Sequence, residues 1–210
     1  MAFRDREDGG RQLAARLAGR AWHQPLVLAL PRGGVPVGAE VAEALGAPLD
    51  VIVARKIGAP GHEELGVGAV AEGLDEPVVA DTAARLGIGA DEVRALAPRA
   101  RAELARRVAT YRGDRPLPGI TDRDVILVDD GLATGVTAEA ALRALGARGP
   151  RHLVLAVPVC SPAAARRLRA RCDEVVCVAA PEPFRAVGHW YRRFDQTSDA
   201  EVLELLGQDH

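Results

Sequence analysis

Short apolar runs alternate along the chain with stretches in which apolar residues recur every three or four positions. Unbroken runs of β-branched and aliphatic residues are typical of strands buried on both faces of a parallel sheet, and the longer spacing is typical of amphipathic helices. The runs predict strands at 26–30, 49–54, 67–71, 125–128, 152–157 and 174–178. Their alternation with helical stretches predicts an α/β fold, with a parallel β-sheet flanked by helices.

Capping residues mark the ends of several predicted helices. The stripe of Leu13, Ala14, Leu17 and Ala21 predicts the first helix. Prolines at first helical positions, serine caps, a capping box and glycine stops predict other helix ends. These end markers are Pro36 and Gly46, Gly146, Ser161 with Pro162, and Ser198 with Glu201 and Gly207. Within the helix after 137, Glu139 and Arg143 have the spacing of an ion pair on the outer face.

The length suits a single domain, 1–210, with two additions to the sheet. Residues 74–123 form a predicted helical insertion, in which the arginine-rich stretch 91–111 has helical periodicity. Pro98 is expected to start, break or kink a helix there, and the basic face is expected to be a solvated surface. Residues 180–210 form a predicted tail, which is expected to be a small C-terminal hood.

Composition excludes several classes of protein. A net charge of −2 gives no overall basic field for nucleic acid, and no apolar run approaches the roughly 18 residues of a membrane span. The charged N-terminus lacks a signal-peptide core, so we expect a cytoplasmic protein that binds neither nucleic acid nor membrane. Cys160, Cys172 and Cys177 show no C-x-x-C spacing, so we expect reduced, packed thiols and no protein-ligated metal site.

The stretch 125–137 reads Val-Ile-Leu-Val-Asp-Asp-Gly-Leu-Ala-Thr-Gly-Val-Thr and carries the clearest chemical signal. A buried strand ends at Asp129 and Asp130, at the edge where open α/β sheets bind ligands. The loop and helix N-terminus that follow offer backbone N–H groups to an anion. The two acids would repel a phosphate, so they suit vicinal hydroxyls or a cation. A ribose 5-phosphate has both parts, whereas the alternative is a buried strand with an acidic turn and a capped helix.

The same stretch resembles the phosphoribosyl-diphosphate (PRPP) binding motif of type I phosphoribosyltransferases, in which an apolar strand and two acids precede a Thr-Gly loop. The resemblance implies the fold of that family, with Asp129 and Asp130 on the ribose 2′- and 3′-hydroxyls. It also implies that the loop binds the 5-phosphate through Ala133, Thr134, Gly135, Val136 and Thr137. Residues 191–199 are similar to the tail of a bacterial branch of the family.

A second loop, Pro31-Arg32-Gly33-Gly34, directly follows the first core strand. Two glycines and an arginine beside a helix N-terminus predict either an anion nest or an ordinary tight turn. The resemblance implies that Arg32, Gly33 and Gly34 bind pyrophosphate. Enzymes of the family often strain a peptide bond in this loop, and the sequence leaves open whether the Arg32–Gly33 bond is cis.

Lys56 is the only lysine among 27 basic residues. Position 56 is therefore one where a compact ammonium could be needed, with chance as the alternative. A glycine-punctuated loop, 57–66, follows it. The resemblance implies that this loop closes over PRPP and that Lys56 meets pyrophosphate as a catalytic residue together with Asp129 and Asp130; a disordered connection is the alternative. His62 is expected to face solvent.

Two features bear on the acceptor. Four of the seven aromatic residues lie in the tail, where they either grip the acceptor or pack the tail onto the domain: Phe184, Trp190, Tyr191 and Phe194. Relatives that use 6-oxopurines usually have a third acid where this chain has Ala133, whose methyl group cannot accept a proton. The Ala-Thr-Gly loop is more similar to that of adenine-type and uracil-type relatives, so a 6-oxopurine acceptor is not expected.

The resemblance thus implies Mg²⁺-dependent transfer of ribose 5-phosphate from PRPP to a small nitrogen-containing acceptor in nucleotide metabolism, with the Mg²⁺ carried mainly by PRPP and water. Two alternatives stay open. One is a non-catalytic regulatory protein that senses PRPP, and the other is a related enzyme that acts on a different phosphorylated sugar. The oligomeric state is also open, with a homodimer as one candidate.

Overall fold

The computed structural model describes residues 3–207 of the predicted 1–210 domain, apart from the side chain of Glu64. Residues 1–2 and 208–210, the latter part of the predicted hood, lie outside the described residues. The described strands are β1 (Leu26–Ala29), β2 (Leu49–Val51), β3 (Ala54–Ala59), β4 (His62–Ala71), β5 (Val78–Val79), β6 (Asp124–Val128), β7 (His152–Val159) and β8 (Glu174–Ala179). The described helices are α1 (Arg6–Leu17), α2 (Gly34–Leu45), α3 (Asp81–Arg85), α4 (Ala90–Arg112), α5 (Val136–Gly146), α6 (Pro162–Leu168) and α7 (Asp199–Leu205), together with a short 3₁₀ helix (Val187–Trp190).

Five strands form a parallel sheet in the order β2-β1-β6-β7-β8. The central strand β6 is buried at every position, and its Leu127 pairs with Leu28 on one side and with Leu155 on the other. Apolar residues of α1 and α2 cover one face of this sheet, and those of α5 and α6 cover the other. The predicted fold class is confirmed, because unbroken apolar runs are what a sheet covered on both faces requires.

The order of the strands creates a crevice at one edge of the sheet. The chain passes from β1 to β2 on one side and later enters β6 on the other side of β1. Such a reversal leaves an open space beyond the carboxyl ends of the two strands, where α/β proteins bind ligands. The loops that leave β1 and β6 are the two in which the sequence predicts binding residues.

A second sheet was not predicted. The predicted strand 49–54 divides into β2, which joins the parallel sheet, and the beginning of β3. The predicted strand 67–71 is the end of β4, which pairs antiparallel with β3 and β5 in a separate sheet. An apolar run identifies a strand but not its partner, so the sequence pattern could not separate a hairpin from a further parallel strand.

The predicted insertion contains β5, α3 and the long helix α4. Helix α4 continues through Pro98, so the predicted start or break of a helix at this residue is wrong. Val93 and Ala97 of α4 are buried against the second sheet, and this packing opposes the cost of a proline inside a helix. In the predicted stretch the side chains of Arg94, Arg99 and Arg106 are exposed, as expected of a solvated face, whereas that of Arg107 is only 17% exposed. Arg112, the next residue after the stretch, is buried, donates to the Val51 carbonyl at 2.8 Å and pairs with Glu72.

Most of the predicted helix ends are confirmed. Ser161 caps α6 through its side chain, and Ser198 and Glu201 form the capping box of α7. Gly46 ends α2 with φ of 59°, and Gly207 follows α7 with φ of 67°. These positive φ angles favour glycine, which is why a glycine just after an apolar stripe predicts a helix end.

Three predicted helix positions are wrong. Pro36 is the third residue of α2 rather than the first, because the helix already begins at Gly34. Ala21 lies beyond the end of α1 at Leu17. Gly146 is the last residue of α5 and does not serve as its cap. In these three cases the helix begins or ends at a different residue from the one that the sequence pattern indicates.

The predicted outer-face pair of Glu139 with Arg143 is also wrong. Glu139 is buried, and its two carboxylate oxygens lie 3.2 Å from Nε of Arg167 and 3.3 Å from Nε of Arg171. Arg167 lies at the end of α6, and Arg171 lies three residues beyond it. Glu139 therefore ties α5 to α6, and Arg143 is left exposed to solvent.

We expect Glu139→Gln to lower the free energy of unfolding by about 1–2 kcal/mol, because the variant loses charge-assisted hydrogen bonds in a buried position. Arg143→Gln is the matched control on the same helix and should change it by less than about 0.5 kcal/mol. Urea unfolding of both variants measures the difference. Equal effects would show that Arg167 and Arg171 contribute nothing to the fold through Glu139.

Candidate functional site

The loop after β1 and the loop after β6 touch each other in the crevice. The Leu30 N–H donates to the Val128 carbonyl at 2.9 Å and continues the pairing of the two strands. A Cβ atom on Gly34 would lie 2.8 Å from the same carbonyl oxygen, and one on Gly33 would collide with the carboxylate of Asp130. Glycine is therefore required here for close approach, and the structure brings the predicted pyrophosphate loop directly against the acidic pair.

Asp129 and Asp130 are both largely enclosed by protein. One carboxylate oxygen of Asp129 accepts the Asp130 N–H at 2.8 Å. Burial, and then the neighbouring charge of Asp130, raise the pKa of Asp129 well above its usual range. Burial also raises the pKa of Asp130, against the opposing effect of Arg6. Two adjacent carboxylates in a partly dry site thus have a strong need for hydrogen-bond donors or positive charge.

Arg6 supplies that positive charge, and the sequence did not predict it. Its Nε donates to Oδ2 of Asp130 at 2.9 Å, and its Nη1 donates to the Asp195 carbonyl at 2.6 Å. The guanidinium carbon also lies 3.9 Å from the centre of the Phe194 ring. The residues in contact are 124 positions apart or more, so no local pattern reveals them. The available signal was an arginine in the first turn of a helix, where the dipole disfavours a cation.

The predicted 5-phosphate loop leads into the N-terminus of α5. Ala133 and Thr134 are exposed, and Gly135 adopts φ of 70° immediately before the helix begins at Val136. Thr137 lies in the first turn. No side chain among residues 3–207 caps this terminus, so its N–H groups are open to an anion.

Arg167 supports this loop from α6. Its Nη2 donates to the Thr134 carbonyl at 2.5 Å, while its Nε contacts Glu139. A Cβ on Gly135 would lie 3.0 Å from Leu168, so the loop also packs closely on α6. The contact between α5 and α6 therefore fixes the position of the loop, a role that the sequence did not assign to Arg167.

The predicted pyrophosphate loop contains a cis peptide bond between Pro31 and Arg32. The Arg32–Gly33 bond, whose geometry the sequence did not determine, is trans. The Arg32 guanidinium extends towards the C-terminal helix, with Nη1 3.7 Å from Oδ1 of Asp199. The same oxygen accepts the hydroxyl of Tyr111 at 2.5 Å. Burial, and then that hydrogen bond, raise the pKa of Tyr111 to about 12.

Lys56 lies on β3 in the second sheet, whereas the other predicted residues follow strands β1 and β6 of the parallel sheet. Its side chain is exposed, and its aliphatic stem packs over Gly66, where a Cβ would lie 2.7 Å from Cδ of the lysine. It lines a cleft of about 790 Å³ between hairpin residues 55–61 and helix residues 95–103. The residues that line this cleft do not include the acidic pair or the two anion loops, and the role of Lys56 at pyrophosphate stays a prediction. His62, at the tip of the hairpin, is exposed as predicted.

The tail packs beside the acidic pair, but it does so together with the N-terminal segment. The Phe3 N–H donates to the Trp190 carbonyl at 2.8 Å, and the Arg192 N–H donates to the Phe3 carbonyl at 2.9 Å. Tyr191 is buried, and its hydroxyl donates to the Asp130 carbonyl at 2.6 Å. Packing of the tail is thus confirmed for Tyr191, and its contact with Asp130 puts the tail at the edge of the site.

Other predicted features can be compared with the described residues. The three cysteines are free thiols, as predicted. Among residues 3–207, apart from the side chain of Glu64, no three His, Cys, Asp or Glu side chains lie close enough together to hold a metal ion. In the same part of the chain, none of the helices has the length and apolar character needed to span a bilayer.

Known proteins match the chain over most of its length. The family model of the phosphoribosyl transferase domain matches residues 3–189. "Putative phosphoribosyl transferase Rv0571c" of Mycobacterium tuberculosis H37Rv is 45% identical over 212 residues, which cover 99% of this chain and 47% of that protein. A protein of the same description from M. tuberculosis CDC 1551, MT0597, gives the same values. The chain thus spans about half the length of the curated relatives it matches.

Solved structures with a similar fold are also known. The crystal structure of TT1426 from Thermus thermophilus has 47% sequence identity and a TM-score of 0.81, with 98% of each chain covered. The AQ2163 protein from Aquifex aeolicus, at 13% identity and a TM-score of 0.53 over 87% of this chain and 76% of that one, shares the fold alone. The family model, the relatives and the acidic-pair motif agree, and the chain belongs to the phosphoribosyl transferase domain family.

Proposed function

We propose that this protein is an Mg²⁺-dependent phosphoribosyltransferase, which transfers ribose 5-phosphate from PRPP to a small nitrogen-containing acceptor. The observation that carries the proposal is the crevice between β1 and β6. There the acidic pair lies against Gly33 and Gly34 at the N-terminus of α2, and the loop that follows it in sequence leads into the N-terminus of α5 at Val136. A ligand with a diol between two phosphorylated ends matches this order of charges.

Each part of PRPP has a proposed partner in the crevice. The carboxylates of Asp129 and Asp130 accept hydrogen bonds from the ribose hydroxyls. The loop 133–137 donates backbone N–H groups to the 5-phosphate, and Arg167 holds that loop in place through its carbonyl contact. Arg32, Gly33 and Gly34 meet the pyrophosphate, and Lys56 reaches it when the hairpin closes. Catalysis then consists mainly of orientation and of charge stabilisation in a site that excludes water.

The described residues fit a magnesium ion that arrives with the substrate. Mg²⁺ keeps several water ligands and is often held by substrate phosphates rather than by a cage of protein side chains. Among residues 3–207, leaving Glu64 aside, no cage of three ligating side chains exists, and Oδ2 of Asp130 is already occupied by Arg6. When bound to the diphosphate, the ion would neutralise the leaving group.

Turnover tests the proposal directly. PRPP is incubated with Mg²⁺ and a panel of nitrogenous bases, and pyrophosphate release is measured. Release with at least one base is expected. Tight PRPP binding without release from any base would instead favour a PRPP-sensing regulatory protein, and absence of PRPP binding would contradict both.

Asp129→Asn and Asp130→Asn should each weaken PRPP binding by about 1.5–3 kcal/mol, because each variant loses a charge-assisted hydrogen bond to the ribose. Calorimetric titration with PRPP measures the loss. Asp91→Asn, on the exposed first turn of α4, is the matched control and should bind like the wild type. Unchanged affinity in both site variants would remove the ribose assignment.

Lys56→Arg should reduce turnover by roughly tenfold or more, because a forked guanidinium cannot replace a compact ammonium against a diphosphate. Steady-state kinetics and the thermal midpoint are measured together, and the midpoint should hardly change since the side chain is exposed. Arg99→Lys, on the facing wall of the same cleft, is the control. Wild-type kinetics in Lys56→Arg would mean that the single lysine has no special role.

Hypoxanthine and guanine should be poor acceptors, slower than adenine or a non-purine base by about 10²–10⁴-fold, the range that a general base contributes. The reason is Ala133, which is exposed in the phosphate loop and has no group that accepts a proton. Steady-state rates with hypoxanthine, guanine, adenine, uracil and orotate decide the matter. Efficient conversion of either 6-oxopurine would refute this specificity.

A further inference from the structure

The ion pair between Arg6 and Asp130 is a part of the site to which neither the motif nor the family comparison assigns a role. We infer that Arg6 is a positioning residue of the ribose site, which fixes the Asp130 carboxylate by one oxygen and leaves the other for the ligand. The inference rests on the proposed function, since it concerns the same acidic pair.

Arg6 is held rigidly enough to position another group. Its side chain is only 12% exposed, and three contacts fix the guanidinium: Asp130, the Asp195 carbonyl and the face of the Phe194 ring. A cation over an aromatic face is attracted by the ring, and more strongly when water is excluded. Tyr191 additionally fixes the backbone of Asp130 by donating its hydroxyl to the Asp130 carbonyl. The carboxylate is thus restrained from both sides before any ligand binds.

Helix stability does not explain an arginine at this position. Arg6 is the first residue of α1, after the cap Asp5, and the rest of the first turn is acidic through Glu7 and Asp8. A cation in the first turn opposes the helix dipole and so disfavours the helix. Its contribution therefore comes from the contact that it makes across the crevice.

The arrangement leaves room for a ribose hydroxyl. Arg6 occupies Oδ2 of Asp130, whereas Oδ1 accepts no hydrogen bond from the described residues. An ionised carboxylate has about four acceptor positions, so the diol can bind while the arginine stays in place. Arg6 can therefore stay bound to Asp130 while the ribose binds, and it does not have to be displaced.

The charge of Arg6 also determines whether the pair can stay ionised. The groups that face Asp130 are Arg6 from α1, Asp129 beside it and Tyr191 from the tail, while the loop after β1 contributes the uncharged Gly33. Burial raises the pKa of both carboxyl groups, and the charge and hydrogen bond of Arg6 oppose this for Asp130. Without the arginine, two adjacent buried carboxyls would share a proton at a higher pH.

PRPP binding should weaken at acid pH. A proton on either carboxylate removes an acceptor for the ribose hydroxyls, so the affinity for PRPP falls as the pH falls through the pKa of the pair. Removal of the positive charge raises that pKa, and the acid limb of binding should move to higher pH. Charge-preserving substitution should leave the limb close to its wild-type position.

The experiment compares Arg6→Gln and Arg6→Lys with Arg11→Gln, a matched control on α1 whose ion pair with Glu40 is on the surface. PRPP affinity is measured by calorimetry between about pH 5.5 and 9. Arg6→Gln should bind roughly tenfold more weakly than the wild type at the acid end of this range and recover towards pH 9. Arg6→Lys keeps the charge, so its acid limb should stay at the wild-type pH even though the loss of the guanidinium contacts lowers its affinity somewhat at every pH, and Arg11→Gln should follow the wild-type curve.

An acid limb that is unchanged in Arg6→Gln would overturn the inference, even if stability fell, since Arg6 would then be merely structural. Loss of binding in Arg6→Lys equal to that in Arg6→Gln would also overturn it.

Carboxyl titration of the free protein by ¹³C NMR provides a readout without PRPP. In the wild type Asp130 should be ionised at neutral pH, and a protonated Asp130 would contradict the assignment even if the glutamine variant did not fold. Failure of the wild type to bind PRPP would refute only the proposed function, because this titration still tests the role of Arg6.

Discussion

The close approach of the loop after β1 to the acidic end of β6 is the constraint on which the candidate site depends. A side chain on Gly33 would occupy the position of the Asp130 carboxylate, and one on Gly34 would press on the Val128 carbonyl. Since β1 and β6 are neighbours in the sheet, a larger residue at position 34 would press on the backbone after β6, whereas one at position 33 would displace the Asp130 carboxylate. The strand order brings the two loops to one crevice, and the glycines allow them to share it.

Features that depend on consecutive residues could be predicted from the sequence. The buried strand before Asp129, the phosphate-sized loop and the caps at Ser161 and Ser198 are all local, and the structure has them where the pattern indicates. The second sheet was missed because apolar runs do not specify partners. The partners of Glu139 were missed because burial between α5 and α6 overrides helical spacing.

The ends of the described chain complete the site, and this too could not be predicted. Residues Phe3 and Arg4 pair with the tail through backbone hydrogen bonds, so that both segments reach the crevice together. From one side Arg6 contacts Asp130, and from the other Asp199 lies 3.7 Å from Arg32. Each contact joins residues more than 100 positions apart, so neither leaves a periodic or local signal. The predicted hood consisted only of the tail, whereas in the structure the N-terminal segment and the tail lie together at this edge of the site.

Partial positive and full negative charges lie side by side in the crevice. Helices α2 and α5 both begin in it, at Gly34 and Val136, and neither start is capped by a side chain of the described residues. Their dipoles favour negative charge at the two sides of the crevice, whereas Asp129 and Asp130 make its middle negative. Such alternation disfavours a simple anion and, in the free protein, requires a counter-charge near the acids. Arg6 provides it at 2.9 Å, and this explains why a guanidinium is buried beside the acidic pair.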